Sequence, residues 1–298
     1  MSTVSAASLR RLTAGTMIAR HGTPEQRERW LPGIAAGTTR FCFAFTEPVA
    51  GSNANNLRTT ATPTASGFAV TGEKTYISAL ESSETMIVVA RDAGSGGLTL
   101  LVLPTPCEGV TASRVNVEAP AFEHQWHVFF DAAETTDILG EPGKGARVLF
   151  DGLNPERLVV ASQAVGVGRF CLDRAAAYAR ERIVFAVPIG THQAVQHPLA
   201  ESLVALEGAW ALTGAAARLF DEGEPAGLES NRAKIAACDA GLLAADRALQ
   251  VFGGSGDTDE TSMLQRFTYM RLLRSIPVAR ELALNHVATS GLDLPRSY

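Results

Sequence analysis

Residues 41–53, FCFAFTEPVAGSN, carry the first pattern that suggests chemistry. The first five residues alternate phenylalanine with smaller side chains, which predicts a β-strand with one aromatic face. The strand then ends at Thr46, followed by a proline and the small, flexible residues 49–52. Hydroxyl groups and free backbone N–H groups at the rim of a sheet suit a planar, hydrogen-bonding ligand or a phosphate. An ordinary turn also explains these residues, so the pattern alone leaves both interpretations open.

Residues 154–157, Asn-Pro-Glu-Arg, offer a single carboxylate in a defined local setting. Asn154 is a good N-cap and Pro155 suits the first helical position, so we expect a long helix to begin here with Glu156 in its first turn. The helix dipole favours a negative charge there. A carboxylate can also act as a general base. From the residues alone, Glu156 is interpreted as a capping residue.

Composition narrows the class of protein. The chain has 298 residues, of which 46% are hydrophobic and 19% charged, and its net charge is −5. No basic run is present, which argues against a nucleic-acid partner. The longest apolar runs are interrupted by Gly, Arg or Glu and the N-terminus lacks the layout of a secretory signal, so we expect a cytoplasmic protein without a membrane span. The four cysteines are widely separated and form no cluster with histidine, so we expect reduced, buried thiols and no metal site.

The first part of the chain predicts helices followed by strands. Residues 6–37 predict two helices, with Thr23 as N-cap and Pro24 as first residue of the second, which we expect to end before Pro32. From residue 41 to about 139, short β-rich segments separated by turn residues predict a small barrel or sandwich. The predicted strands after the first are 57–61, 67–72, 74–78, 85–90, 98–103, 110–117 and 126–130.

The last part of the chain predicts an antiparallel bundle of four helices, at 155–186, 191–221, 228–252 and 263–289. The third and fourth helices carry apolar residues on more than one face, which predicts a homodimer or a dimer of dimers built on the bundle. These residues are Leu242, Leu243, Leu249, Val251, Leu272, Leu273 and Ile276.

Two motifs resemble those of acyl-CoA dehydrogenases. The F-TEP-AGS pattern ending at Ser52 looks like the flavin-binding strand of that family, and GEKTYIS at 72–78 matches the strand that follows it there. Residues 21–37 resemble the last helices of the family's N-terminal domain, most of which we expect to be absent from this chain. The resemblance implies an α+β fold with remnant N-terminal helices (1–40), a central β-barrel domain (41–146) and a C-terminal four-helix bundle (147–298).

The resemblance also implies an activity, the FAD-dependent α,β-dehydrogenation of an acyl-CoA thioester. In that family a glutamate abstracts the α-proton and flavin N5 takes the β-hydride. The glutamate comes from the position of Glu156 or from a C-terminal loop, where this chain has Pro277. The resemblance therefore assigns the base to Glu156. Pro277 also lacks the backbone N–H that holds the thioester oxygen in the family.

The family binds FAD between two subunits and passes electrons to an electron-transfer flavoprotein or a similar acceptor. The residues that match its cofactor contacts are Phe43, Phe45, Thr46, Ser52, Tyr76 and Ser78 from one subunit and Arg182, Phe185, His192, Gln193, Gln250, Gly253 and Gly254 from the neighbour. Ser52 and Arg157 match residues on the CoA and thioester side.

Two departures from the family pattern keep alternatives open. Ala279 replaces a hydroxyl that usually contacts the cofactor, and Glu281 replaces a glutamine, which places a carboxylate where a diphosphate would be repelled. One alternative is a non-catalytic or half-site subunit that pairs with a full-length homologue. Another is the same fold recruited to other flavin chemistry in biosynthesis.

Overall fold

The computed structural model describes residues 6–118 and 123–297, and the chain forms two compact units, Met1–Glu156 and Arg157–Tyr298. The side chains of residues 6–10 and 55 are outside this description. The ends of the first and last predicted domains, residues 1–5 and 298, lie outside the described residues, and the bounds of the three domains remain predictions.

The first unit opens with two helices, α1 (Ala6–His21) and α2 (Pro24–Ala36). Thr23 is the N-cap of α2 as predicted: its Oγ1 accepts from the Gln26 backbone N–H at 3.2 Å, and Gln26 Oε1 accepts from the Thr23 N–H at 3.0 Å. The predicted end before Pro32 is wrong, because α2 continues to a left-handed Gly37. Burial of Trp30 and Ile34 on either side of the proline stabilises the helix through that position.

Eight strands of the first unit form one sheet in the order β6-β7-β3-β2-β4-β5-β8, with β1 paired in parallel to β4. The predicted strands at 67–72 and 74–78 are a single strand, β3, and β8 was not predicted. The strands are β1 (Phe41–Ala44), β2 (Thr60–Pro63), β3 (Phe68–Ser78), β4 (Thr85–Asp92), β5 (Leu98–Pro104), β6 (Val110–Val115), β7 (Gln125–Thr135) and β8 (Asp137–Leu139).

Apolar clusters cover both faces of this sheet, which explains why β4 is apolar at consecutive positions. Ile87 and Val89 belong to a cluster that includes Met17 of α1 and Trp30 of α2. Met86, Val88 and Ala90, whose side chains point to the opposite face, belong to a second cluster that includes residues of β3, β5 and β7. A strand buried on both faces loses the polar alternation of a surface strand.

The helix α3 (Gly145–Glu181) begins ten residues before the predicted start. Val148, Leu149 and Leu153 are buried in the cluster that contains Met17, and this packing stabilises helix upstream of the proline. The predicted capping role of residues 154–156 is therefore wrong, since Pro155 lies inside the helix and Glu156 lies well beyond its first turn.

The second unit continues with a short hairpin, β9 (Ile183–Val184) and β10 (Val187–Pro188), and the helices α4 (Gln193–Asp221), α5 (Gly227–Phe252), α6 (Met263–Leu273) and α7 (Arg280–Gly291). The predicted fourth helix is thus two helices, interrupted around Pro277. The helix α5 packs against α4, α6 and α7. It also approaches α3 closely, because a Cβ added to Gly168 would lie 2.8 Å from the Gly241 Cα.

Exposed apolar side chains in this unit occur on α4, which was not predicted to carry them, and at two of the predicted positions, Leu243 and Ile276. Val204 and Trp210 are 70% and 56% exposed, whereas α5 has twelve buried residues among its 26. Among the described residues, α4 is also the one helix with the length and composition to cross a membrane, and most of its apolar stretch is not buried.

Candidate active site

Glu156 faces a small cavity in the first unit. Its Oε2 accepts a hydrogen bond from Thr13 Oγ1 at 3.3 Å. Both residues line a cavity of about 30 Å³ together with Ala14, Phe41, Cys42, Phe43 and Ile87. The cavity thus brings the predicted base together with Phe43, a predicted cofactor residue. Thr13 had no role in the sequence analysis, since a threonine within a helix gives no signal of a partner 143 residues away.

The rim predicted to bind the flavin follows β1. The rings of Phe43 and Phe45 lie 6.1 Å apart, and the carbonyl of Thr46 accepts a hydrogen bond from the backbone N–H of Thr75 at 2.8 Å. Ser52 is exposed, and no atom lies within 4 Å of a Cβ added to the neighbouring Gly51. The rim therefore presents an open surface whose backbone is tied to β3.

Tyr76 interrupts the regular geometry of β3. Its φ is 58°, a left-handed value that aromatic residues rarely adopt, and its side chain is 60% exposed. The pairing with β7 shifts by one residue here, from Lys74 opposite Val128 to Ile77 opposite Trp126. Tyr76 therefore occupies a β-bulge that turns its ring towards solvent. Beyond the bulge, Ser78 Oγ lies 2.9 Å from Gln125 Nε2.

A buried ion pair lies between the rim and this bulge. Lys74 Nζ donates to Glu47 Oε1 and to the Phe45 carbonyl, both at 2.9 Å. Burial lowers the pKa of Lys74 to about 8, against the raising effect of Glu47. Burial raises the pKa of Glu47, but hydrogen bonds from the Arg58 N–H, Lys74 and Thr59 outweigh it, and the pKa is lowered. Both residues belong to the matched motifs, and neither was predicted to have a role.

In the second unit, the segments predicted to meet the cofactor from a neighbouring subunit are exposed. Phe185 is 90% exposed at the tip of the β9–β10 hairpin. Arg182, His192 and Gln193 are also exposed, as are Gln250 in the last turn of α5 and Gly253 and Gly254 directly after it. The rings of Tyr178 and Phe252 lie 4.6 Å apart, and this contact brings the ends of α3 and α5 together. The two segments are therefore neighbours within this unit.

Arg157, predicted to lie on the thioester side, is 4% exposed. The pKa of His286 is lowered by burial and by the charge of Arg157, and Asn231 Nδ2 lies 3.1 Å from His286 Nδ1. Arg157 therefore belongs to a polar cluster inside the second unit.

The interruption between α6 and α7, which contains Pro277, is held by α5. Lys234 Nζ donates to the carbonyls of Arg274 and Val278, both at 2.8 Å. Asp239 pairs with Arg274 at 3.1 Å and with Arg280 at 2.7 Å. Burial lowers the pKa of Lys234. These α5 residues were also missed, because their partners lie some 40 residues away.

The residues present fit a flavin dinucleotide. A Cβ added to Gly253 or Gly254 meets no atom within 4 Å, so the backbone there is open to a close approach by a ligand. Exposed aromatic rings at Tyr76 and Phe185 suit a planar ring system, and the exposed Arg182 suits a diphosphate. No group of three or more metal-ligating side chains occurs in the part of the chain that the structure describes.

Comparison with known proteins agrees with this fold. Three acyl-CoA dehydrogenase domain profiles match, the N-terminal domain at residues 1–38, the middle domain at 42–132 and the C-terminal domain at 143–291. Acyl-CoA dehydrogenase FadE12 of Mycobacterium tuberculosis is 41% identical in an alignment of 292 positions that covers 95% of this chain and 75% of that protein.

Two solved structures have the same fold. A glutaryl-coenzyme A dehydrogenase in complex with glutaryl-CoA is 27% identical with a TM-score of 0.91, over 98% of this chain and 76% of that one. A chain from a structure described as the electron transferring flavoprotein of Acidaminococcus fermentans is 27% identical with a TM-score of 0.89, over 93% and 75%. The chain belongs to the acyl-CoA dehydrogenase family, whose members are oxidoreductases acting on CH–CH donors.

Proposed function

We propose that this protein catalyses the FAD-dependent α,β-dehydrogenation of an acyl-CoA thioester with Glu156 as the general base. The observation that carries the proposal is the cavity shared by Glu156 and Phe43, with the Thr13 hydroxyl on the carboxylate. Membership of the family supports the reaction class, and the glutaryl-CoA complex of a similar protein supports an acyl-CoA substrate.

In this proposal Glu156 takes the proton from the α-carbon of the thioester onto a carboxylate oxygen. Thr13 orients the carboxylate by donating to Oε2, and most of the other side chains that line the cavity are apolar. Bound FAD would supply the acceptor for the hydride that leaves the β-carbon, so that loss of the α-proton and the β-hydride together would form the α,β double bond. Phe43, Phe45, Thr46, Tyr76 and Ser78 would hold the ring system.

The remaining predicted dinucleotide residues would complete the site from a neighbouring subunit. They are Arg182, Phe185, His192, Gln193, Gln250, Gly253 and Gly254. Ser52, on the same subunit as Phe43 and Thr46, and Arg157, directly after the base in the chain, would face the CoA and thioester side. The exposed apolar face of α4 supports a homodimer or homotetramer, because a second copy would cover Val204 and Trp210. Sedimentation should detect this assembly in the wild type and its dissociation in Val204→Glu; a monomeric wild type would contradict it.

The decisive experiment measures anaerobic flavin bleaching by a panel of acyl-CoA thioesters. Glu156→Gln keeps an acceptor for Thr13 but removes the proton acceptor, so bleaching should slow by about 10²–10⁴-fold at unchanged FAD content. Asp173→Asn, which removes an exposed carboxylate from the same helix, should bleach as the wild type does. Equal rates for wild type and Glu156→Gln would exclude Glu156 as the base.

The same purified protein tests the half-site alternative. The wild type should be yellow with one FAD per chain and should pass electrons to an electron-transfer flavoprotein or a similar acceptor. A colourless protein that takes up no FAD, alone or with a co-expressed homologue, would contradict the proposal and favour a non-catalytic subunit.

A further inference from the structure

Lys74 and Glu47 form a charged pair inside the first unit, with side chains 0% and 2% exposed. Lys74 lies on β3, two residues before Tyr76, and Glu47 follows Thr46 at the end of β1. Neither side chain is accessible to a ligand. A direct contact with cofactor or substrate therefore does not explain this pair.

The Glu47 carboxylate joins three segments of the chain. Its Oε2 accepts from the Arg58 N–H at 2.7 Å, and its Oε1 accepts from the Thr59 N–H at 3.0 Å and from Lys74 at 2.9 Å. Lys74 also donates to the Phe45 carbonyl. The pair therefore fixes the backbone on which the rim residues Phe45 and Thr46 are mounted.

The same network supports the bulge in β3. Thr59 Oγ1 donates to the Glu73 carbonyl at 3.0 Å, and the Thr75 N–H donates to the Thr46 carbonyl at 2.8 Å. The β3 groups in these two hydrogen bonds, the Glu73 carbonyl and the Thr75 N–H, come directly before Tyr76, whose φ of 58° is left-handed. Such a conformation persists only when the surrounding structure holds it.

Stability alone is a poor explanation for the pair. Replacing a buried ion pair with apolar residues of similar volume is often neutral or stabilising, because desolvation of both charges offsets their attraction. What an apolar pair cannot supply is the set of directional bonds to the Phe45 carbonyl and to the Arg58 and Thr59 N–H groups. A requirement for backbone geometry at the rim explains those bonds.

We propose that Glu47 and Lys74 are positioning residues for FAD, which hold the Phe45–Thr46 rim and the Tyr76 bulge in the arrangement that binds the flavin. This inference rests on the proposed function, since it takes the rim as the flavin site. The two side chains are buried and act on the flavin site through their hydrogen bonds to the backbone.

The test compares FAD affinity and flavin absorption in the wild type and in the double variant Lys74→Met/Glu47→Leu. The double variant replaces both charges by apolar groups of similar volume, so it should fold with a wild-type circular dichroism spectrum. Its dissociation constant for FAD should rise about tenfold or more, because the rim is no longer preorganised. Its flavin bands should shift as the rings around the isoalloxazine change position.

Controls separate this inference from the proposed function. Lys144→Met removes an exposed lysine of the same unit, which pairs with Glu141, and should leave FAD affinity unchanged. Should the double variant not fold, Glu47→Gln, which keeps the shape of the side chain, takes its place with the same expectation of weaker FAD binding. A folded variant with wild-type affinity and spectrum would overturn the inference and leave the proposed function intact. A wild type that binds no FAD would overturn both.

Discussion

The two fully buried lysines, Lys74 and Lys234, are accommodated in different ways. Lys74 meets a carboxylate at 2.9 Å. Lys234 donates to two backbone carbonyls, and one of them belongs to Arg274, the C-cap of α6, where the helix dipole favours a cation. The difference teaches that a buried charge can be compensated by a counter-charge or by aligned dipoles. Only the first arrangement leaves a charge behind when the lysine is lost.

The largest expected difference between the two sites is in stability. Lys74→Met leaves Glu47 as an uncompensated buried carboxylate and should lower the free energy of unfolding by about 3–5 kcal/mol. Lys234→Met should cost only about 1–3 kcal/mol, because Arg274 O still accepts from the Arg280 N–H and Val278 O is the one carbonyl that loses its donor. Urea unfolding of both variants measures the difference.

A matched double variant sharpens this comparison. Adding Glu47→Leu to Lys74→Met removes the stranded carboxylate and should recover part of the lost stability, while the Arg58 and Thr59 N–H groups lose their acceptor. Two results would contradict this explanation: equal losses of unfolding free energy in Lys74→Met and Lys234→Met, or no gain of unfolding free energy in the double variant. Either result would mean that the stranded Glu47 charge does not determine the loss of stability.

A smaller effect is expected in the pH dependence of stability. The pKa of Lys74 is lowered from 10.5 to about 8, so the unfolded chain binds more protons than the folded chain between these values. The Lys74 contribution to stability should therefore rise as pH increases from 8 to 10.5, by on the order of 1–3 kcal/mol. The check is the difference between wild type and Lys74→Met across that range. A difference that falls or stays flat would contradict the lowered pKa of Lys74.

The smallest effect concerns Asp239, beside Lys234. Asp239→Asn weakens ion pairs to Arg274 and Arg280 whose side chains are 27–35% exposed, so it should cost only about 0.2–1 kcal/mol in stability. Urea unfolding at low and high salt provides the measurement. A cost larger than that of Lys234→Met would show that the surface pairs, and not the buried lysine, hold the interruption between α6 and α7.

Local signals in the sequence identified most elements. The Thr23-Pro24 pair and the alternation of residues 41–45 depend on near neighbours, and both predictions of a helix start and a strand are confirmed. The start of α3 was wrong because Asn154 and Pro155 form a good local start signal, while the apolar packing of Leu149 and Leu153 that extends the helix is tertiary.

The interactions around the site were less accessible from the sequence. Glu47 and Lys74 stand in the recognised motifs, yet their pairing requires the arrangement of β1 against β3. The contact between Thr13 and Glu156 likewise joins α1 to α3 across 143 positions. The one available signal was Lys74 itself, a charged residue in a strand that also carries the apolar Ile77. Charged residues are almost never fully buried without a partner, so a partner for Lys74 could have been expected. The roles of the predicted site residues remain predictions.

The central position of β4 has a consequence for how the first unit opens. This strand is bonded to β5 along one edge and to β1 and β2 along the other, and Met86 to Ala90 are at most 1% exposed. No local fluctuation can free these amides, because both edges and both faces are covered. Their hydrogen exchange therefore reports the complete unfolding of the unit, whereas amides in the two-residue strands of the exposed β9–β10 hairpin exchange through local opening.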